Sequence, residues 1–430
     1  MLDIALIREN PDLVAEKLAR RGFGVDFDEF LSRDRVRRDL IYQTEQLKAE
    51  KNKTSAAIPL MKREGQDTTA VMARMKAIGE EIKDGDRQLA VIEKQQQEFL
   101  DALPNLPADD VVAGGKENNQ VVGTVGTAPV FDFPAQHHVD LAERLGLIDY
   151  ARGAKLGGSG FWVYRGDGAR LEWALLNFFM GEHLRDGYEP ILPPHILNWQ
   201  CGYTAGQFPK FKDDVYQLRA DHAENDFTHF LLPTAETALV NLHRDEILEE
   251  SSLPFKYFAY TPCYRREAGS YRAEERGMIR GHQFNKIEIF QYTLPENSEK
   301  ALEELVNKAA RLVELLGLHF RVSKLAAGDC SASMAKTYDI EVWIPSMNDY
   351  KEVSSASSAG DYQARRGNMR FRRRSTGRME FVHTLNASGL ATSRILPAIL
   401  EQNQQADGSV VIPEVLRKWL DGRATLNSLG

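Results

Sequence analysis

The chain has 430 residues, a formal net charge of −8 and 43% hydrophobic residues, enough for a substantial core and more than one domain. The acidic balance excludes a general nucleic-acid coat but leaves room for a local basic surface that grips one RNA. Three cysteines, Cys201, Cys263 and Cys330, lie more than sixty residues apart in turn, which is neither a disulfide framework nor a zinc spacing; no zinc and a reducing compartment are expected.

The opening MLDIALIREN lacks a long apolar stretch, and no run approaches the roughly eighteen apolar residues of a membrane helix. A soluble cytoplasmic protein is expected. Residues 1–103 are poor in glycine and rich in Lys, Arg, Glu, Gln and Leu. Val71, Met75, Ile78, Ile82, Leu89, Ile92, Phe99 and Leu103 recur at alternating three- and four-residue steps, with Gly85 and Gln96 at the weak positions, which predicts a coiled-coil seam. A weaker seam runs through Val36, Leu40, Leu47, Ile58 and Met61. The polar link REGQDTT between the two predicts an antiparallel helical hairpin. Its first helix is basic. Arg35, Arg38, Lys48 and Lys51 are candidate contacts to a phosphate backbone, against the plainer reading of a solvated face.

The stretch ALPNLPADDVVAGGKENNQVVGTVGTAP, rich in Pro, Gly and Asn, reads as a linker, so the domains are 1–103 and 104–430. Beyond it, strand-like runs (FWVYRG, HFLLP, KYFAYTPCY, IEIFQY, DIEVWIP) alternate with helical ones (ARLEWALLNFFMGEHLRDG, SEKALEELVNKAARLVELLG). The close strand spacing predicts α+β with a largely antiparallel sheet and flanking helices. There is no phosphate-binding Gly-rich loop of the P-loop or dinucleotide type, so a nucleotide site must be built another way. Histidines such as His282 and His383 lack metal-ligand spacing and read as structural.

In Tyr264–Phe290, a strand, a loop over Ser270–Arg276 and a second strand are predicted. Residues two apart share a face of a strand, so Arg265 would point with Glu267, and Phe284 with Lys286 and Glu288, while Ile287 and Ile289 face the other way. A guanidinium suits a phosphate, a phenylalanine ring a base, and a carboxylate an amine or hydroxyl. On spacing alone, an exposed hairpin is an equal reading.

Tyr264-Arg265-Arg266-Glu267 resembles the second signature motif of class II aminoacyl-tRNA synthetases. PTAE (Pro233–Glu236), AKTYDIEVW with KEVSS (Ala335–Trp343, Lys351–Ser355) and NASGLATSR (Asn386–Arg394) resemble the seryl-tRNA synthetases. GYEPILPP (Gly187–Pro194) is similar to the first class motif, found at a dimer interface, and the N-terminal hairpin to the tRNA-binding arm of the bacterial type. The resemblance covers nearly the whole chain. It implies the class II fold, L-serine and ATP with Mg2+ as reactants and cofactor, tRNA(Ser) and by extension tRNA(Sec) as acceptors, and a homodimer. By position it implies catalytic roles for Arg265 and Arg394. ATP would meet Arg265, Arg266, Glu267, Arg280, Gly281, Phe284, Glu352, Val353, Ser354, Ser355 and Arg394, with magnesium at Glu352 and Ser355. Serine would meet Thr234, Ala235, Glu236, Arg265, Glu288 and Ser388. Glu236 as a helix-start carboxylate and Ser388 as turn chemistry are the structural alternatives, and Lys286 is left outside the core site.

Departures from the family's usual residues gather at the pocket: Arg266, Thr237, Ala238, Ala356, Ser358, Ala359, Ala387, Ser393 and the run GDCSASMAK. They suggest a divergent second copy tolerant of a seryl-adenylate-like antibiotic, with lineage drift as the open alternative. A ligase that loads a carrier protein would lack the arm, and a non-catalytic RNA-binding regulator would have lost Arg265, Glu267 or Arg394.

Overall fold

The computed structural model describes residues 1–218, 228–267 and 277–427, so the expected loop Ser270–Arg276 lies outside the described residues. The chain divides into two compact units. One comprises Leu2–Ala19 with Phe23–Pro104; the other comprises Met1, Arg20–Gly22 and Asn105 onward.

In the helical unit, short helices α1 (Ile4–Glu9) and α2 (Pro11–Ala19) precede α3 (Asp28–Arg63) and α4 (Thr69–Ala102). At 36 residues, α3 is about 54 Å long. Cross-pairs Arg37–Glu93, Lys48–Asp86 and Glu50–Arg74 show that α3 and α4 run antiparallel, as the seam pattern predicts. Along α4 the expected positions face inward, with Ile78 fully buried. Its two weak positions have physical reasons. A Cβ on Gly85 would stand 2.8 Å from Thr44 Oγ1, so glycine lets the buried Thr44 approach. Buried Gln96 donates to Asp34 at 3.4 Å.

The α3 seam differs from expectation. Val36 is 48% exposed, and Asp34 and Thr44 occupy buried seam positions. Asp34 is tolerated because Arg8 grips both its oxygens at 2.8 Å and Arg38 adds a third contact. The Arg8 hydrogen bonds hold the Asp34 carboxyl below its usual range.

The second unit is built on an eight-stranded sheet. In chain order its strands are β1 (Gln120–Val125), β2 (Glu189–Ile191), β3 (Phe255–Tyr264), β4 (Gln283–Thr293), β5 (Phe320–Lys324), β6 (Lys336–Ile344), β7 (Asp349–Gly360) and β8 (His383–Ala391). The spatial order is β1-β5-β6-β7-β8-β4-β3-β2, antiparallel throughout except for the β2–β3 pair. Helices α5 (Asp167–Arg185), α6 (Ser298–Leu315) and α7 (Thr392–Gln402) supply the main core.

The linker expectation needs correction. The second half of that stretch is β1, and it edges the sheet by pairing with β5 two hundred residues on. Its glycines and valines make a twisted edge strand, a pattern that composition alone cannot separate from a linker.

Alternation along β4 sorts its side chains. Ile287 and Ile289 enter the main core with Phe178 of α5, Leu305 of α6 and Ile395 of α7. Phe290 and Tyr292 pack on the opposite face with Tyr257, Phe371 and Val382. Lys286 and Glu288 share that second face, nearer the strand's start, and are buried there.

Candidate active site

Three cavities line up along the ends of β3, β4, β6 and β7. The largest of the three, about 380 Å³, is lined by Thr234, Glu236, Arg265 and Glu267, by Ser331–Met334, and by residues between Ala205 and Val215. A small one of about 60 Å³ is lined by Arg265, Glu267, Arg280, Gly281, Phe284, Lys286, Glu352, Val353, Ser388 and Arg394. The third, about 360 Å³, takes in Arg280, Asp339, Glu352, Ser355 and Arg394. Arg265 and Glu267 are common to the first two, and Arg280, Glu352 and Arg394 to the last two.

Strand β3 ends at Tyr264, so Arg265 and Glu267 are not strand neighbours as expected. Glu267 takes a left-handed backbone, φ 48°, and this turn is what brings both residues to the same wall. The Arg265 guanidinium lies 5.2 Å from the centre of the Phe284 ring and donates to the Pro233 carbonyl at 3.3 Å. Arg280 pairs with Glu267 at 2.5 Å. Arg394, in the first turn of α7, donates to the Ile279 carbonyl and to both the carbonyl and the carboxylate of Glu352. Each phosphate-type arginine is thus held by a carboxylate or carbonyl that fixes its direction. Gly281 must be glycine, since a Cβ there would sit 2.1 Å from the Trp162 ring.

Arg266 departs from expectation. It is exposed, lines none of these cavities and donates to the Asp213 carbonyl at 2.9 Å. Ala235 and Ser354 are buried behind the cavity walls rather than on them, and Ser354 Oγ donates to the Ser388 carbonyl at 2.7 Å.

A buried polar cluster forms the inner end. Glu288, with no exposed surface, accepts from Asn386 at 2.8 Å and from Thr234 at 3.4 Å. Lys286, left outside the site by sequence reasoning, forms an ion pair with Glu288 and donates to Thr234 at 2.6 Å. Glu236 does begin a short helix, Glu236–Leu239, yet its carboxylate also lines the large cavity and accepts from Gln363 at 2.8 Å. Burial, reinforced by the Glu288 charge, pushes its pKa up to about 7.

Asp339 was also missed. It pairs in register with Ser355 across β6 and β7. Its Oδ1 has no hydrogen-bond partner, and burial together with the Glu352 charge pushes its pKa well above the carboxylate range. The signal lay in TYDIEVW, but only cross-strand register shows which acid faces the site.

The family departures fit one another locally. Ala356 and Ala387 face each other on β7 and β8, and Thr237 donates to Gln207 at 3.1 Å. His137, His138 and Glu401 cluster within 4.8 Å. Glu401 is already held by His138 and Ser346, and the His137 ring caps the Val139 amide, so these groups serve the fold. His282 Nδ1 donates to the Arg265 carbonyl at 3.1 Å, while His383 is half-buried with its Nδ1 enclosed and unpartnered.

Among the candidate arm residues, Arg35 is exposed, Arg38 reaches Asp34 at 3.2 Å, Lys48 reaches Asp86 at 3.4 Å, and Lys51 is half-buried. Among the described residues no helix is long and apolar enough to cross a membrane.

Comparison with known proteins agrees with this geometry. Residues 1–107 match the seryl-tRNA synthetase N-terminal domain, and residues 216–403 the class II tRNA synthetase core domain of the G, H, P, S and T enzymes. Serine–tRNA ligase 2 of Clostridium acetobutylicum is 62% identical over 98% of this chain and 99% of its own. Serine–tRNA ligase of Desulforapulum autotrophicum is 44% identical over 100% and 99%. The crystal structure of seryl-tRNA synthetase from Pyrococcus horikoshii complexed with ATP superposes with a TM-score of 0.91 at 33% identity, covering 100% of both chains. With both domains matched and near full-length relatives on every side, the chain belongs to the seryl-tRNA synthetase family.

Proposed function

We infer that this chain activates L-serine with ATP to seryl-adenylate and passes the seryl group to the 3′ end of tRNA(Ser), and by extension to tRNA(Sec). The observation that carries this reading is the shared wall of the first two cavities. A space roomy enough for an amino acid and a cation-lined channel meet at Arg265, where a carboxylate and an α-phosphate can be bound side by side.

In this reading the serine ammonium and hydroxyl meet Glu236, Thr234, Glu288 and the Ser388 segment. Arg265 holds the carboxylate and the α-phosphate. Phe284 and the Gly281 backbone frame the adenine, with Glu267 at its edge, and Arg280 and Arg394 take the phosphate tail. The carboxylate attacks phosphorus in line, its oxygen forming the new P–O bond as the bond to pyrophosphate breaks. The nucleophile is already ionised, so the site's work is positioning and charge neutralisation. The donor set of Glu352, Ser355 and Asp339, whose Oδ1 has no hydrogen-bond partner, fits a hard divalent cation. Magnesium there would neutralise charge on the polyphosphate. On the arm, Arg35, Arg38, Lys48 and Lys51 would meet the tRNA backbone. The sheet edge at β2, followed by Leu192 at 85% exposure, supports a homodimer through the first motif.

The test is amino-acid-dependent ATP–pyrophosphate exchange with serine, threonine, alanine and glycine, followed by charging of tRNA. Exchange with serine far above the other three is expected. Exchange with none of them, or a preference for another of the four, would overturn the reading.

A further inference from the structure

Besides Thr234 and Glu236, the large cavity is lined by Ser331–Met334, part of the loop between β5 and β6 and the centre of the unusual run GDCSASMAK. The five consecutive carbonyls of Cys330–Met334 are all taken by two residues far away in sequence. Arg21 donates to the carbonyls of Cys330 at 3.2 Å, Ser331 at 3.3 Å and Met334. Asn105 takes the two between: its backbone amide donates to the Ala332 carbonyl at 2.7 Å, and its side-chain amide to that of Ser333 at 2.9 Å. The same side chain also donates to the Ala359 carbonyl at 2.8 Å, which ties the loop to the end of β7. Backbone hydrogen bonds hold the loop at its ends and across its turn, Cys330 to Ala326, Met334 to Ser331 and Ala335 to Ser358, and the guanidinium and carboxamide add the tether from outside to its small residues Ser331, Ala332 and Ser333. Neither Arg21 nor Asn105 lines the cavity.

We propose that Arg21 and Asn105 are positioning residues for amino-acid selection: they set the distance between the Ser331–Met334 wall and the Thr234–Glu236 wall, and so the largest amino acid the site accepts. This rests on the reading that serine occupies the large cavity. Threonine differs from serine by one methyl, and a polar pocket rejects it only by crowding. A wall released by a fraction of an ångström weakens both the grip on serine and the refusal of threonine. The small cavity with Arg280, Phe284 and Arg394 takes no residue of this loop, while the third cavity takes only Ser331 from it, so ATP should feel the change less than serine does.

The experiment measures exchange kinetics for serine, threonine and ATP separately in Arg21→Ala, Arg21→Lys and Asn105→Ala, alongside Arg20→Ala. Arg20 is the control because it donates to the Asp109 and Val111 carbonyls instead. The serine KM is expected to rise on the order of tenfold to 10²-fold, in keeping with small remote misplacements. The serine-to-threonine ratio of kcat/KM should fall, and the ATP KM should change by a clearly smaller factor than the serine KM. Arg21→Lys, which keeps the charge but cannot reach three carbonyls, should show the same selectivity change with a melting temperature close to wild type. The proposal is overturned if folded variants keep wild-type selectivity, if the serine and ATP KM rise by the same factor, or if Arg20→Ala has the same effect. Glu236→Gln separates the two readings. If it leaves the serine KM unchanged, serine does not sit in this cavity and the site assignment itself fails. If it raises the serine KM while the Arg21 and Asn105 variants keep selectivity, only the present proposal fails.

Discussion

The helical hairpin and the sheet site use the same charged residues under opposite conditions. In the hairpin, pairs such as Arg37–Glu93 and Arg74–Glu50 are exposed enough for water and salt to compete, and each contributes little to stability. In the site, Lys286, Glu288 and Glu236 are each under a tenth exposed, so their state depends on one another. Charges in the first setting can be exchanged for other polar residues at little cost. Charges in the second are coupled, and removing one strands its partner.

The widest separation between the two regions should appear on removing the hairpin. Replacing Arg33–Leu100 with a short connection should abolish tRNA charging while serine-dependent pyrophosphate exchange survives. Loss of both would mean that the arm is needed for the site to form. Conversely, Arg265→Ala or Arg394→Ala should reduce exchange on the order of 10²-fold or more, as for a lost charge-stabilising donor. Reversing Arg35 and Lys48 should leave exchange intact and weaken only tRNA binding, with a shallower salt dependence.

Burial also predicts how stability responds to pH. Glu172 of α5 accepts from Asn285 at 2.7 Å and Thr392 at 2.6 Å, and burial pushes its pKa up to about 7. The folded state therefore binds this proton more tightly than the unfolded chain. The contribution is complete below the unfolded value and is lost as pH rises toward about 7, a change of roughly 2 to 4 kcal/mol. Glu172→Gln keeps both accepted hydrogen bonds and cannot ionise. Its denaturant midpoint should exceed that of wild type above pH 7, with the difference shrinking toward pH 5. A constant difference would show that Glu172 does not titrate in this window. No exposed carboxylate of the hairpin should behave this way.

A smaller effect is expected at Glu236, whose pKa of about 7 leaves its ionisation within the working range. If it receives the serine ammonium, serine KM should rise about tenfold as pH falls from 8 to 6, because the protonated carboxyl no longer attracts a cation. Glu236→Gln should show a higher serine KM that is flat with pH. An unchanged slope would move the titration to another group.

Legibility in sequence followed the same division. The α4 seam could be read because periodicity is local: one apolar face, repeated along one helix. The α3 seam was blurred because Asp34 and Thr44 depend on Arg8, Gln96 and Gly85, which no local pattern connects. In the sheet, motif residues such as Arg265, Glu352 and Arg394 could be placed one by one from the family resemblance. Their supports could not. Lys286 does pair with the nearby Glu288, but its burial at the site was not visible, Asp339 needed the β6–β7 register, and β1 looked like linker until its partner two hundred residues away was in place. The turn at Glu267 replaced an expected strand alternation, yet reached the same wall.

The smallest test lies in the hairpin at Gly85. A glycine inside a helix costs about 0.5–1 kcal/mol relative to alanine, so Gly85→Ala should stabilise if nothing else changed. The new Cβ would meet Thr44 Oγ1 at 2.8 Å but Thr44 Cβ only at 4.0 Å, so a rotation of the threonine relieves the contact. Gain and crowding should nearly cancel, leaving Gly85→Ala within about 0.5 kcal/mol of wild type. With Thr44→Ala the crowding is gone, and the helix gain should emerge as a coupling of about 0.5 kcal/mol in a double-mutant cycle. Zero coupling would mean that Thr44 is not what keeps glycine at this seam position. A coupling several times larger would mean that the hairpin is packed as tightly as the sheet site, and the contrast between a forgiving arm and an exacting site would fail.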